Sequence, residues 1–191
     1  KTPSHTEQWF TRYLVNSAGL YSDEIAKMVN PENKWEIIPV KGEFSVFYGK
    51  NGNSVSRNVY PVPKYCERRG TKVLIPGVHL TPRVGDGAIR VGPAMGITES
   101  KEDYRSNVAL SEYIREVQPF FPAITEVNLH EDQTGIMAEE KKCKDFIIEP
   151  DAKYSRCLHL VGIKSPGLTA SLAIGKYVRE QFGGLFTSGE L

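Results

Sequence analysis

A chain of 191 residues with 24 basic and 23 acidic side chains, net charge +1, can bury one sizeable core or two smaller ones, and lacks the positive surplus of a nucleic-acid binder. No apolar run approaches the roughly 18 residues of a membrane-spanning helix, although a peripheral membrane contact leaves no such trace. Three cysteines (Cys66, Cys143, Cys157) lie far apart and point to a reducing compartment, while His5, His79, His130 and His159 lack metal-ligand spacing, so no metal is expected.

In chain order, Arg12 to Asn16 reads as a strand and Ser17-Ala18-Gly19 as the turn that leads it into a helix. Ser22 is the expected cap. Asp23 and Glu24 suit the positive end of that helix, Ile25, Met28 and Val29 keep the spacing of a buried face, and Asn30-Pro31 stops it. The periodicity then changes to that of an antiparallel meander. Trp35 to Val40, Phe44 to Tyr48 and Ser56 to Tyr60 are short and rich in β-branched or aromatic residues, separated by Lys41-Gly42-Glu43 and by residues 49–53. Val73 to Ile75, Val78 to Thr81 and Ala88 to Val91 continue it, with Gly85-Asp86-Gly87 as a hairpin loop.

One helix is expected after a Ser100 cap, with Glu102 and Asp103 in its first turn and a core-facing stripe of Leu110, Tyr113, Ile114 and Val117 before Pro119 and Pro122. Lys141-Lys142-Cys143-Lys144, following Glu139-Glu140, reads as a solvated loop. Lys144 to Glu149 reads as a strand. Cys157 to Val161 is nearly all apolar, the mark of a strand buried on both faces, and within it His159 reads as a structural histidine.

That last strand ends at Gly162 and opens, through Ile163-Lys164-Ser165-Pro166-Gly167-Leu168-Thr169, into a helix running to about Lys176. Pro166 suits a turn or a first helical position, and Thr169 and Ser171 offer hydroxyls beside the unpaired N–H groups of the helix start. Taken alone, such a turn equally serves a plain strand-to-helix connection. Two such units bracket the meander, so the outer segments belong to a different sheet from the middle. The order points to a nucleotide-type domain interrupted by a substrate domain.

Val15 through Ser22, Val40-Lys41-Gly42-Glu43, Tyr60-Pro61-Val62-Pro63, Gly77 through Thr81, Val91-Gly92-Pro93 and Gly162 through Gly175 together resemble the FAD-dependent oxidoreductases of the D-amino-acid-oxidase class. Within it they are most similar to the L-2-hydroxyglutarate dehydrogenase/oxidase branch, with glycerol-3-phosphate dehydrogenases second. The resemblance runs from about Tyr13 to Phe182. It implies a mixed α+β and α/β fold: an antiparallel substrate domain with one or two helices (34–150), flanked by parts of a Rossmann-like FAD-binding domain (1–33 and 151–191). It also implies that Ala18, Gly19 and the stretch Gly162, Ile163, Lys164, Ser165, Pro166, Gly167, Leu168 and Thr169 face FAD. The helix beginning near Leu168 and Thr169 would point its positive end at the flavin pyrimidine, where charge gathers on reduction.

No Gly-x-Gly-x-x-Gly fingerprint occurs; Gly85 to Arg90 fails its last place and lies in a hairpin. The resemblance therefore implies that the chain corresponds to the C-terminal part of such proteins and holds FAD weakly by itself. Relatives carry an arginine after the Gly135-Ile136 pair to grip the substrate carboxylate, where this chain has Met137, and often an acidic residue where it has Lys164. His79 is the expected base for the hydroxyl proton, since imidazole ordinarily titrates near neutrality and hydride leaves for flavin at the same time. Tyr60 and Lys41 are expected substrate contacts beside Met137.

Three readings follow. One is an FAD-linked dehydrogenase of a small 2-hydroxy acid, passing electrons to a quinone, a carrier or oxygen. Another is a flavoenzyme of the same class acting on glycerol 3-phosphate or an amino acid; the third is a non-catalytic module that keeps the fold without the cofactor. The expected location is cytoplasmic, or mitochondrial in a eukaryote.

Overall fold

The computed structural model describes residues 7–49, 55–68 and 71–187; His5 and the turn residues 50–53 lie outside them. In chain order the elements are β1 (Leu14–Asn16), a 3-10 turn (Gly19–Tyr21), α1 (Ser22–Val29), β2 (Ile37–Phe47), β3 (Lys64–Arg68), β4 (Thr71–Ile75) and β5 (His79–Pro82). There follow β6 (Ile89–Ile97), α2 (Leu110–Val117), β7 (Leu129–Glu140), β8 (Ile147–Pro150), β9 (Cys157–Val161) and α3 (Gly167–Thr187). The chain divides into two compact units, one formed by Lys1–Ile38 and Met137–Leu191, the other by Pro39–Ile136. The divisions fall inside β2 and β7, whereas the sequence reading puts them at 33/34 and 150/151.

In the first unit the sheet order is β1-β9-β8. β1 runs parallel to β9 in the register Leu14↔Cys157 to Asn16↔His159, and β8 is antiparallel to β9. β9 has the bounds read from its apolar run, and it is buried at four of its five positions. The α1 span also follows its periodicity, but Ser22 does not cap it. The chain enters α1 from the 3-10 turn, Tyr21 takes the capping place without a side-chain bond, and the buried Ser22 hydroxyl has no hydrogen-bond partner. Asp23 is committed elsewhere, its carboxylate accepting the Ile37 N–H at 3.0 Å. Ile37, Ala138 and Val161 form a small core on which Leu20, Trp35 and Ile147 pack.

The second unit contains the greater part of a sheet ordered β5-β6-β2-β7, and the β3-β4 hairpin. Its core joins Phe47, Leu80, Ile89, Val91, Tyr113, Val117, Ile124 and Leu129, with the Tyr113 and Val117 face of α2 supplying the helix layer. Three sequence expectations are corrected in this unit. Lys41-Gly42-Glu43 is no turn but the middle of one long strand, β2, with a bulge between Glu43 and Ser45. Residues 56–60 form no strand and contribute only the bridge Val59↔Leu80. The helix starts at Leu110, not after Ser100, and residues 101–109 are irregular. β3 and β7 carried no recognised strand signal.

Phe47 sits at the centre of this core, fully buried with its ring edge-on to Phe121 at 5.2 Å. Phe47→Ala should lower stability by about 3–5 kcal/mol, read as a shift in urea midpoint at constant slope. A midpoint that does not move would remove Phe47 from the core.

Candidate active site

Because β1 and β9 are parallel neighbours, the turns that follow them leave the sheet at the same edge. Adjacent strands lie about 4.8 Å apart, and the crevice beyond their carboxyl ends is where open α/β sheets bind ligands. After β1, Gly19 has φ +57° and nothing within 4 Å of the place a Cβ would take, so the backbone there is bare. After β9, Gly162 has φ +69°, and a Cβ on it would stand 3.1 Å from the Glu140 Cβ. Glu140 cannot readily yield, since its carboxylate accepts the N–H groups of Lys142 (2.7 Å) and Cys143 (2.6 Å).

From Gly162 the chain coils tightly: the Lys164 N–H donates to the Gly162 carbonyl at 2.8 Å, and the Gly167 N–H to the Lys164 carbonyl at 2.6 Å. Gly167 lets Ile163 pack beneath the start of α3, because a Cβ there would lie 2.5 Å from Ile163 Cγ2. The outcome is a helix N-terminus, with Leu168 and Thr169 exposed, at the same sheet edge as the bare Ala18-Gly19 turn. Lys164 does not offer a free charge to this edge; its ammonium pairs with Glu139 Oε2 at 3.1 Å.

Behind the first turn runs a buried polar chain. The Asn16 amide donates to the Ser22 carbonyl (2.7 Å) and to His159 Nδ1 (3.0 Å), and its oxygen accepts the Ala18 N–H (3.3 Å). With Nδ1 an acceptor, the ring carries its proton on Nε2, which faces Asp151 Oδ2 at 3.3 Å. Asn30, at the end of α1, donates to the same carboxylate at 3.1 Å, and the N–H groups of Lys153 and Tyr154 close on Asp151 Oδ1. Burial pushes the His159 pKa below its usual value, and the Asp151 charge only partly offsets this. Burial acts to raise the Asp151 pKa, but the backbone bonds from Lys153 and Tyr154, with Asn30 and His159, hold it below the usual carboxylate range.

Cys157 Sγ lies 3.4 Å from His159 Nε2, yet Cys157, His159 and Asp151 form no nucleophilic triad. Burial, with the Asp151 charge, pushes the thiol pKa up, and the group is sealed from solvent.

In the second unit, His79 lies on β5 opposite Gly92 of β6. Its Nδ1 is 3.0 Å from the Gly77 carbonyl, which can only accept, so in the neutral ring Nδ1 carries the proton and Nε2 is the basic nitrogen. Tyr60 stacks on the imidazole at 4.3 Å between centroids and 29° between planes, so the structure brings these two predicted residues together. Lys41 is not brought to them. It pairs with Gly96 on the other edge of β6, roughly 13 Å along the strand from Gly92.

The buried Lys41 ammonium pairs with Asp103 (3.2 Å) and Glu43 (3.7 Å) at a cleft of about 520 Å³ that also includes Thr98, Arg105 and Asn107. Bonds from Arg105, and then Lys41, hold the Asp103 pKa down at about 2. Glu43 accepts the N–H groups of Asn107 (2.6 Å) and Val108 (3.0 Å) and so ties down the chain entering α2. Met137, on the part of β7 in the first unit, is half-buried. Among the described residues no His, Cys, Asp and Glu group forms a metal site.

The sequence reading missed the Asn16–His159–Asp151–Asn30 chain and the Glu43 anchor. A histidine inside a strand as apolar as Cys-Leu-His-Leu-Val was the available signal, since a buried imidazole needs partners.

The family description "FAD dependent oxidoreductase" matches residues 1–181. The chain belongs to that family. It is 28% identical over 211 residues to mitochondrial L-2-hydroxyglutarate dehydrogenase of Mus musculus, covering 89% of this chain and 44% of that one. To glycerol 3-phosphate dehydrogenase of Caloramator mitchellensis it is 31% identical over 176 residues, covering 92% and 34%. The FAD-bound L-alpha-glycerophosphate oxidase of Mycoplasma pneumoniae matches in structure with TM-score 0.69 at 23% identity, over 87% of this chain and 42% of that one. Glycine oxidase of Bacillus cereus matches with TM-score 0.67 at 15% identity, over 90% and 43%. The chain thus spans less than half the length of these relatives, in a family of flavin-dependent dehydrogenases and oxidases whose cofactor is FAD.

For this chain the shifts at His159 and Asp151 fix the sign of the acid response. Folded pKa values below the unfolded 6.5 and 3.8 mean that the native state binds fewer protons in acid. Their contribution is whole above about pH 6.5 and is lost as pH falls, first through His159 and then through Asp151. Urea midpoints should drop between pH 7.5 and pH 5, and less steeply in His159→Gln; a midpoint that holds or rises over that interval contradicts the assignment.

Proposed function

We propose that this chain supplies the pyrimidine-side wall and the substrate sheet of an FAD-dependent oxidoreductase that oxidises a small 2-hydroxy acid, L-2-hydroxyglutarate or a close analogue. The observation that carries this reading is the parallel register Asn16↔His159, which puts the bare Ala18-Gly19 backbone and the α3 N-terminus at one sheet edge. In this reading the unit of Lys1–Ile38 and Met137–Leu191 belongs to the FAD-binding domain, and Pro39–Ile136 is the substrate domain.

The first unit fits a flavin on structural grounds. A carbonyl-rich, electron-accepting ring needs close backbone approach, which the open space at Gly19 allows, and N–H donors, which the first turn of α3 directs outward. Ala18 and Gly19 would hold one part of the ring system, and Gly162 to Thr169 the pyrimidine side. Bound FAD supplies the two-electron acceptor. His79 takes the substrate hydroxyl proton at Nε2 while the carbinol carbon gives up hydride, leaving a 2-oxo acid and an imidazolium. The Gly77 carbonyl keeps Nε2 the basic nitrogen and Tyr60 holds the ring plane, so the base arrives oriented.

The resemblance puts Met137 where an arginine would grip the substrate carboxylate, and without that clamp one alternative stays open, a phosphorylated alcohol such as glycerol 3-phosphate. The similarity to the Caloramator mitchellensis enzyme points the same way. We propose the electron acceptor to be a quinone, a carrier or oxygen, and the location to be mitochondrial or cytoplasmic; no described helix is long and apolar enough to cross a membrane.

The full-length protein, purified and scanned for flavin absorbance, should reduce a dye acceptor with L-2-hydroxyglutarate in preference to glycerol 3-phosphate or glycine. His79→Ala should lower kcat roughly 100- to 10,000-fold at unchanged flavin content. Absence of both flavin and dye reduction favours a non-catalytic module, and an unchanged rate in His79→Ala removes it from the chemistry.

A further inference from the structure

We propose that Asn16, oriented by the His159–Asp151 pair, is the positioning residue of the Ala18-Gly19 turn, and that a proton placed on His159 Nδ1 releases that turn. The consequence for FAD rests on the reading of the turn as a cofactor wall.

Asn16 is 2% exposed and uses every position of its amide: two N–H donors on Ser22 and His159, and its oxygen on the Ala18 N–H. That pattern has one workable orientation. Turned over, the amide would set its oxygen against the Ser22 carbonyl and its N–H group against the Ala18 N–H. The choice holds only while His159 Nδ1 has a free lone pair. Asp151 keeps it so by accepting the hydrogen bond of the Nε2–H, and the Trp35 ring, edge-on at 5.1 Å, packs against the imidazole.

The groups facing His159 come from every side. They are Asn16 from β1, Asp151 from the turn before β9, Glu149 opposite it on β8, Cys157 on its own strand, and Trp35. Among the described residues, only Asn16 links this ring to the turn peptide, through the Ala18 N–H.

A second proton on the ring changes that link. With Nδ1 protonated, two N–H groups confront each other at 3.0 Å, and Asn16 must present its oxygen to the ring instead. The oxygen then leaves the Ala18 N–H, and the Ser22 carbonyl loses its donor. The Ala18 N–H loses its partner; the Ala18 and Gly19 carbonyls still accept the N–H groups of Tyr21 (3.1 Å) and Ser22, but the turn loses its tie to β1, with open space around Gly19 to move into. FAD affinity is thereby tied to the protonation state of a histidine outside the cofactor's reach.

The test uses the full-length holoenzyme. Ring ¹⁵N signals should report His159 as the Nε2–H tautomer at pH 7.5, with the Ala18 amide protected from exchange. Lowering pH through the His159 titration should raise the FAD Kd about tenfold and speed Ala18 and Gly19 amide exchange by a similar factor, the size expected for one buried hydrogen bond. Asn16→Ala should bind FAD about tenfold more weakly at pH 7.5 and lose no more on acidification. His159→Gln, which cannot titrate, should lose the pH dependence even if Asn16→Ala does not fold. An Nδ1–H tautomer at pH 7.5, or a folded Asn16→Ala variant with unchanged Ala18 exchange, overturns the proposal. If the protein binds no FAD at all, the functional reading fails, while the tautomer and exchange measurements still decide the role of Asn16.

Discussion

The parallel pairing of β1 with β9 is the constraint on which the first unit rests. It joins residues 143 positions apart, as the Asn16–His159 contact shows, and it sends two glycine turns out of one sheet edge. A three-residue strand gives this junction little ladder of its own. The buried amide-imidazole-carboxylate chain strengthens it, because each member satisfies the next in a low-dielectric interior where an unpaired polar group costs about 1–3 kcal/mol. The proposed function enters at the same place: Ala18, which that chain holds, lies in the turn we propose as a flavin wall.

The second unit orients its polar side chains by other means. His79 is oriented by a backbone carbonyl two residues before it and by the face of Tyr60, both local to the strand end. Lys41 and Glu43 are charged residues inside a strand and stay there because their partners come to them: Asp103 to the ammonium, the Asn107 and Val108 N–H groups to the carboxylate. The cleft they border is nearly self-neutralising, unlike the imidazole and aromatic pair at β5. Two sites with distinct electrostatics therefore share one sheet.

Legibility followed how local each signal was. The β9 span and the α1 span could be read because burial on both faces and a 3.6-residue period are written in consecutive residues. Lys41-Gly42-Glu43 read as a turn because charges beside glycine usually are one; its ladder partners are Ala94 to Gly96, and its side-chain partners Asp103 and Asn107 lie 62 and 64 residues onward, none with a local mark. The Ser100 start failed for the same reason. Asp103 is drawn to Lys41 and Arg105, and Glu43 takes the N–H groups just before Leu110, so the segment is held out of a helix until there. β7 escaped notice because most of its first half is exposed and polar. Of the proposed site residues, the turns and the His79 strand were visible as motifs; the Asn16–His159 relation was not, since it exists only once the chain ends meet.

The division of the chain inside β2 and β7 carries a consequence for how the molecule assembles. The first unit is built from the two ends of the sequence, so pairing Leu14 with Cys157 requires closing a loop that contains all of Pro39–Ile136. Loop closure grows costlier with length, by about 0.6 kcal/mol per doubling, and contacts of such separation form slowly. β2 and β7 are neighbours in one sheet, so once the inserted unit has folded, the chain enters and leaves it through adjacent strands. The long loop is then reduced to a short one. Folding should therefore run from the inside of the sequence outward, with the His159 chain and the two glycine turns among the last features to form.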